Sequence, residues 1–220
     1  MKDPIICYVS DRKSLVGPGP QSDILEKIRA AVAAQADWIQ IREKDLRTSD
    51  LLELTREAVG AVSLANSKAR VLVNDRLDIA LAADASGVHL GNESVQAREV
   101  VRWCRRGNAP PEFLIGVSCH RLEEVQEAEI AGADYVFFGP IFDTPSKRAF
   151  GAPHGILELG AISQAVQMPV IAIGGIDEKN AMECIRAGAA GIAAIRLFQE
   201  PRERAELSES IAALHRLPTR

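Results

Sequence analysis

The stretch Ala131-Gly132-Ala133-Asp134-Tyr135-Val136-Phe137-Phe138 reads as a tight helix-to-strand turn followed by a short apolar strand. Small turn residues of the same kind precede three other apolar runs. Ala36-Asp37 leads into Trp38–Ile41, Ala85-Ser86 into Gly87-Val88-His89-Leu90, and Ala187-Gly188-Ala189-Ala190 into Gly191–Ile195. Four more runs lie between them: Ile5–Val9, Val71–Asn74, Leu114–Ser118 and Val170–Ile173. Each run is followed by a helical pattern. Ile24, Leu25, Ile28 and Val32 follow the first, behind a Ser22 or Asp23 cap; Leu51, Leu52, Leu54, Ala58 and Val62 follow the second, behind Thr48 or Ser49. Later helices are expected from near Ser94, from Arg121 to Ile130, from Leu157 to Val166, from Glu178 to Ala187 and from Pro201 to His215. Eight β-then-α units with continuously apolar strands predict an α/β fold, a (β/α)8 TIM barrel forming a single domain over residues 1–220. An open doubly wound sheet is the other arrangement of such units, but no GxGxxG turn follows the first strand.

Composition narrows the function. The chain has 220 residues, 47% hydrophobic and 25% charged, enough for one large core. A net charge of −4 gives no basic field for nucleic acid, and no apolar run reaches the length of a membrane span. Cys7, Cys104, Cys119 and Cys184 are scattered without a CxxC pair, which fits buried free thiols and a cytoplasmic location. The partners expected are small-molecule substrates. The helix faces serve the barrel core first, so the sequence leaves a homo-oligomer open.

Barrel sites sit at the C-terminal ends of the strands. Those ends carry Ser10 and Asp11; Gln40, Arg42 and Lys44; Asn74, Asp75 and Arg76; His89 and Asn92; Ser118 and His120; Thr144, Ser146 and Lys147; Gly174 and Gly175; and Arg196. Alternation along a strand puts Gln40, Arg42 and Lys44 on one face. Two anion cues emerge. Gly174-Gly175 admits a phosphate to backbone N–H groups, with a helix from Glu178 behind it and Arg196 at the same corner. Arg42, Lys44 and Lys147 form a cationic group. Two anion sites mean two phosphorylated substrates or one doubly phosphorylated molecule. Asp75 is either a salt-bridge partner or a Mg²⁺ ligand. His89 reads as a structural, hydrogen-bonded histidine. His120, with Ser118 or Cys119, could form a nucleophile pair, but no third member is evident.

Several segments together resemble thiamine phosphate synthase. They are Gln40-Ile41-Arg42-Glu43-Lys44, Asn74-Asp75-Arg76, Gly87-Val88-His89-Leu90-Gly91, Gly116-Val117-Ser118, Phe138 through Lys147, and Ala172-Ile173-Gly174-Gly175-Ile176. The resemblance implies that hydroxymethylpyrimidine diphosphate is joined to thiazole phosphate, giving thiamine phosphate and diphosphate with Mg²⁺ as cofactor. It assigns Gln40, Arg42, Lys44, Asn74, Ser118 and Lys147 to the pyrimidine diphosphate, with Ile41 and Glu43 in the same substrate-binding run. Arg42, Lys44, Ser118 and Lys147 are the expected catalytic residues. Thr144, Pro145, Ser146 and Gly175 are expected around the thiazole phosphate, with Ile195 and Arg196 beside them. Asp75 matches a Mg²⁺ ligand. The family's second metal carboxylate falls where this chain has Ser94, with Glu93 adjacent as a substitute. Arg196 stands where the family carries a small hydroxyl residue, and there it could bind the thiazole phosphate or fill the pocket.

Two other readings share the barrel. A thiazole tautomerase resembles the chain too, but it carries a histidine where this chain has Pro140 and tends to lose the Gln-x-Arg-x-Lys pattern. A barrel that binds thiamine precursors without catalysis is kept open by Ser94 and Arg196. A phosphosugar isomerase would need a matched acid/base pair that the strand ends do not offer.

Overall fold

The computed structural model describes residues 3–15, 20–144, 152–200 and 202–218, with 20–23 by backbone alone. Eight parallel strands close into a barrel in sequence order, the first pairing with the last. They are β1 (Ile5–Val9), β2 (Trp38–Ile41), β3 (Arg70–Asn74), β4 (Gly87–Leu90), β5 (Leu114–Cys119), β6 (Tyr135–Phe138), β7 (Val170–Ile173) and β8 (Gly191–Ala194). Helices α1 (Pro20–Ala33), α2 (Thr48–Leu64), α3 (Leu77–Ala82), α4 (Ala97–Trp103), α5 (Leu122–Ala131), α6 (Gly155–Ala165) and α7 (Ala181–Arg186) connect them, and α8 (Arg196–Gln199) and α9 (Arg204–His215) follow β8. No helix among the described residues is long and apolar enough to cross a membrane.

The repeated turn is the same structure four times. A left-handed residue ends the helix: Gln35 (φ 63°), Asp84 (φ 53°), Gly132 (φ 84°) and Gly188 (φ 109°). The next residue is always alanine, and its N–H donates to a carbonyl five residues back, at 2.9–3.1 Å. That is the Schellman closure. The residue after it donates its N–H to the preceding odd-numbered strand: Asp37 to Ile6, Ser86 to Val71, Asp134 to Ile115 and Ala190 to Val170. Each turn therefore ends a helix and starts the register of the next strand. In two of them the aspartate side chain adds a second tie. Asp37 Oδ2 accepts from the Ile6 N–H at 2.8 Å, and Asp134 Oδ2 accepts from the Ile115 N–H at 2.7 Å.

Alternation sorts the side chains into two shells. Ile6, Tyr8, Ile39, Ile41, Val71, Val73, Val136 and Phe138 face the helices. Cys7, Val9, Trp38, Leu72, Tyr135, Phe137, Ile171 and Ala193 fill the barrel interior. All four cysteines are buried and free.

Some helix starts differ from expectation. Position N-cap of α2 is Arg47, which pairs with Asp50 instead of leaving Thr48 or Ser49 to cap. α1 starts at Pro20, before Ser22 and Asp23. α4 starts at Ala97 and not near Ser94, because the Ser94 side chain is engaged elsewhere. α7 starts at Ala181, since Asp177 Oδ1 accepts from the N–H groups of Lys179 and Asn180 and holds 177–180 in a turn. β8 stops at Ala194, and Ile195 becomes the N-cap of the short α8, which the sequence reading did not anticipate.

Candidate active site

The interior-facing residues at the upper ends of β2 to β5 are polar, unlike the layers beneath them. Gln40 is almost fully buried, and its Nε2 donates to Asn74 Oδ1 at 3.0 Å. Asn74 Nδ2 donates to Asp75 Oδ2 at 2.5 Å. Asp75 has φ 62°, and its N–H donates to the His89 carbonyl at 2.8 Å, so the chain turns sharply and the carboxylate stays at the rim. Asp75 Oδ1 accepts from the Gly91 N–H at 3.1 Å and touches Ser94 Oγ in a short hydrogen bond. The Gly91 N–H also reaches Ser94 Oγ at 2.8 Å. A continuous polar wall thus runs Gln40–Asn74–Asp75–Ser94 across β2, β3 and the loop after β4. Lys44 Nζ stands 4.0 Å from Asp75 Oδ2 and is exposed.

Arg42 is half-buried, and its backbone is braced from behind. Its N–H donates to Ser10 Oγ at 2.9 Å, and the Ser10 hydroxyl donates to Glu43 Oε1 at 2.6 Å. Glu43 also accepts from the Arg12 N–H at 3.1 Å. This places Glu43 away from the mouth: its carboxylate is buried under the β1 loop, where desolvation raises its pKa. Ile41 likewise faces the helix layer. Of the expected substrate-binding run, the structure brings Gln40, Arg42 and Lys44 to the rim and turns the side chains of Ile41 and Glu43 elsewhere, the alternating order persisting past the end of β2 at Ile41.

His89 is fully buried beneath this wall. Its Nε2 lies 2.9 Å from Ser118 Oγ and its Nδ1 3.1 Å from the Tyr135 hydroxyl. Burial is the main cause that pushes its pKa down to about 3, so the ring is neutral at physiological pH. The expected structural role for His89 holds. His120 does not join Ser118: its Nδ1 bonds the Gly139 carbonyl and its ring stacks on His154. Cys119 faces the helix layer with its thiol pushed up to about 12 by burial, which leaves no Cys/His pair.

On the opposite side, the loop after β6 runs along the end of β7. The Ile141 N–H donates to Ile173 and the Phe142 N–H to Gly174. Gly174 and Gly175 have φ 97° and 68°. A Cβ on Gly175 would lie 2.7 Å from the Asp143 carbonyl oxygen. The glycines are therefore needed for loop packing as well as for any ligand. Behind them stands the 177–180 turn, with Asn180 Nδ2 donating to the Gly175 carbonyl at 2.9 Å. Thr144 ends the described part of this loop; Pro145, Ser146 and Lys147 lie outside the described residues. Ile195 packs against the interior cluster, and Arg196 is exposed at the start of α8.

Sequence reading missed Gln199. This buried side chain accepts from the Tyr8 hydroxyl at 3.1 Å and the Asp11 N–H at 2.9 Å, and donates to the Asp11 carbonyl and Ser14 Oγ, both at 2.8 Å. It ties the loop after β1 to α8. No motif marks it; its partners are more than 180 residues away in sequence.

Glu93 is exposed, with no hydrogen bond or ion pair among the described residues, whereas Ser94 touches Asp75. Among the described residues no three His, Cys, Asp or Glu side chains cluster as a self-contained metal centre. The Asp75 carboxylate and Ser94 hydroxyl are hard oxygen donors of the kind Mg²⁺ takes when phosphate and water supply the rest, so they fit that ion.

Residues 6–198 match the family model described as thiamine monophosphate synthase. A relative from Geobacter sulfurreducens is 44% identical over 186 residues, covering 83% of this chain and 84% of its own. The Moorella thermoacetica protein named thiamine-phosphate synthase is 43% identical over 171 residues, 78% of each chain. The solved structure of thiamine phosphate pyrophosphorylase from Pyrococcus furiosus superposes with a TM-score of 0.79 at 32% identity, covering 96% of this chain and 95% of that one.

Proposed function

The chain belongs to the thiamine monophosphate synthase family and is by that membership a transferase, and we propose that it joins 4-amino-2-methyl-5-(diphosphooxymethyl)pyrimidine to thiazole phosphate, releasing diphosphate and thiamine phosphate. The observation that carries this reading is the hydrogen-bonded wall Gln40–Asn74–Asp75–Ser94 with Lys44 and Arg42 at its edge. Amides face a polar ring there, and cations face a leaving anion.

The reaction breaks the bond between the methylene carbon and the diphosphate oxygen, and the bonding pair leaves with diphosphate. The thiazole nitrogen supplies the pair for the new C–N bond. That nitrogen is already a nucleophile, which suits a site whose one histidine beside Ser118 is made a weak base by burial, its pKa pushed down to about 3. Gln40 and Asn74 fix each other through one hydrogen bond and keep further donor and acceptor capacity for the aminopyrimidine. Arg42 and Lys44 meet the charge growing on diphosphate, and Lys147 of the β6 loop is assigned to the same group. Asp75 and Ser94 would hold Mg²⁺, which when bound neutralises charge on the departing diphosphate. Gly175, Thr144, Ser146 and the α8 corner with Arg196 take the thiazole phosphate. Holding both substrates in one mouth makes the attack effectively unimolecular. The four buried free thiols support a cytoplasmic location.

Incubating the purified protein with both precursors and Mg²⁺ tests the reading. Thiamine phosphate and diphosphate should form in equal amounts, and formation of neither overturns it.

A further inference from the structure

Tyr135 stands one layer below the mouth, and its ring crosses the barrel through a gap that Gly116 leaves. A Cβ at position 116 would lie 2.0 Å from the Tyr135 ring. Through that gap the hydroxyl reaches His89 Nδ1 at 3.1 Å, its one hydrogen-bond partner among the described residues. The space around it is filled by Trp38, whose ring centroid is 4.5 Å away, and by Phe137 at 5.5 Å. Above, His89 Nε2 meets Ser118 Oγ at 2.9 Å.

A neutral imidazole has one N–H and one bare nitrogen. A bare Nδ1 accepts the proton of the buried Tyr135 hydroxyl, which has no other acceptor among the described residues. The alternative tautomer puts N–H against O–H and leaves a buried phenolic donor unpaired, which costs its desolvation. The first arrangement is thus selected. Nε2–H then donates to Ser118, and the Ser118 proton is free for whatever occupies the mouth. In the reverse arrangement Ser118 would spend its proton on His89 and present lone pairs to an anion.

We propose that Tyr135 and His89 are positioning residues that fix the direction of a buried relay, Tyr135 O–H to His89 Nδ1 and His89 Nε2–H to Ser118 Oγ, so that Ser118 turns its own proton toward the substrate's diphosphate ester. The identity of that ligand rests on the function proposed above; the direction of the relay does not.

The full chain, labelled with nitrogen-15, is read by long-range proton–nitrogen correlation spectra, with His89 assigned from the signals lost in His89→Gln. The wild-type ring should be neutral, with Nε2 protonated and Nδ1 bare. A ring protonated at Nδ1, or at both nitrogens, overturns the proposal, and this reading needs neither turnover nor a Tyr135 variant. Tyr135→Phe should lose the fixed tautomer and lower kcat/KM for the pyrimidine diphosphate by about tenfold or more, the scale of one hydrogen bond to a charged group. In a Ser118→Ala background the same substitution should have no further effect, because its route of action is gone. An equal loss in both backgrounds, or none in either, overturns the proposal. If no thiamine phosphate forms at all, the function fails while the spectrum still decides the relay.

Discussion

Ser94 Oγ and Asp75 Oδ1 touch, and the single N–H of Gly91 points at both. A hydroxyl therefore stands beside the one rim carboxylate of β3, while the neighbouring Glu93 is exposed. Ser94→Ala is expected to raise the Mg²⁺ concentration needed for half-maximal activity about tenfold, a typical cost of losing a group that orients a metal ligand. Glu93→Gln should leave it unchanged. A Mg²⁺ titration of both variants checks this, and the opposite pattern would transfer the role to Glu93.

Arg42 depends on residues behind it. Ser10→Ala removes the acceptor of the Arg42 N–H and the hydroxyl donor to Glu43. The loss of one buried and one part-buried hydrogen bond should destabilise the fold by about 1–3 kcal/mol. It should also lower kcat more than it raises KM for thiazole phosphate, which the proposed function assigns to the far side. Urea unfolding with steady-state kinetics measures both.

Gly175→Ala forces a Cβ to within 2.7 Å of the Asp143 carbonyl oxygen and requires an unfavourable positive φ. The β6 loop must shift. KM for thiazole phosphate should rise several-fold while affinity for the pyrimidine diphosphate changes little, because Gln40, Asn74 and Arg42 stand on other strands. Equal loss for both substrates would contradict the assignment of this corner.

Gln199→Ala strips the Tyr8 hydroxyl and the Asp11 N–H of their acceptor. Leaving buried donors unpaired should cost about 1–3 kcal/mol, read as a fall in the urea midpoint without change in slope.

His215 Nε2 donates to Asp37 Oδ2 at 2.9 Å and ties α9 to the lower end of β2. The Asp37 hydrogen bond raises the pKa of His215 above its ordinary 6.5. A raised folded-state pKa means that the added stability is complete below about 6.5, the unfolded value. It is lost as pH rises through the higher folded value. Asp37 is exposed enough for solvent screening to hold the effect to about 1 kcal/mol or less. Thermal unfolding from mildly acidic to mildly alkaline pH should show a downward slope in Tm that His215→Asn abolishes.

All eight strands were legible because each is a short apolar run, and β2, β4, β6 and β8 each follow a helix-ending turn of small residues. Seven of them keep the bounds read from sequence at their first residue and within one residue at their last: β1, β2, β4, β5, β6, β7 and β8. Helix starts were less legible. Thr48, Ser94 and Glu178 have the right chemistry for a helix N-terminus, yet Arg47 pairs with Asp50, Ser94 binds at Asp75 and the Asp177 turn intervenes. Side-chain oxygens go to the partner that folding brings nearest, and local propensity does not contain that partner.

The candidate site divides in the same way. Alternation read along residues 40–44 puts Gln40, Arg42 and Lys44 on one side, and topology assigns them to the mouth, although β2 itself ends at Ile41. The sequence by itself therefore determined the barrel, its eight strands and which strand ends carry polar groups, because those follow from periodicity and turn chemistry within a few residues. Only the tertiary structure decided that the Glu43 carboxylate braces the loop after β1, that Ser94 and not Glu93 meets Asp75, that Gln199 closes the same loop, and that Tyr135 reaches His89 through the space over Gly116. Each of these is a contact between distant segments at hydrogen-bonding or van der Waals range, and such distances are fixed only when the barrel closes.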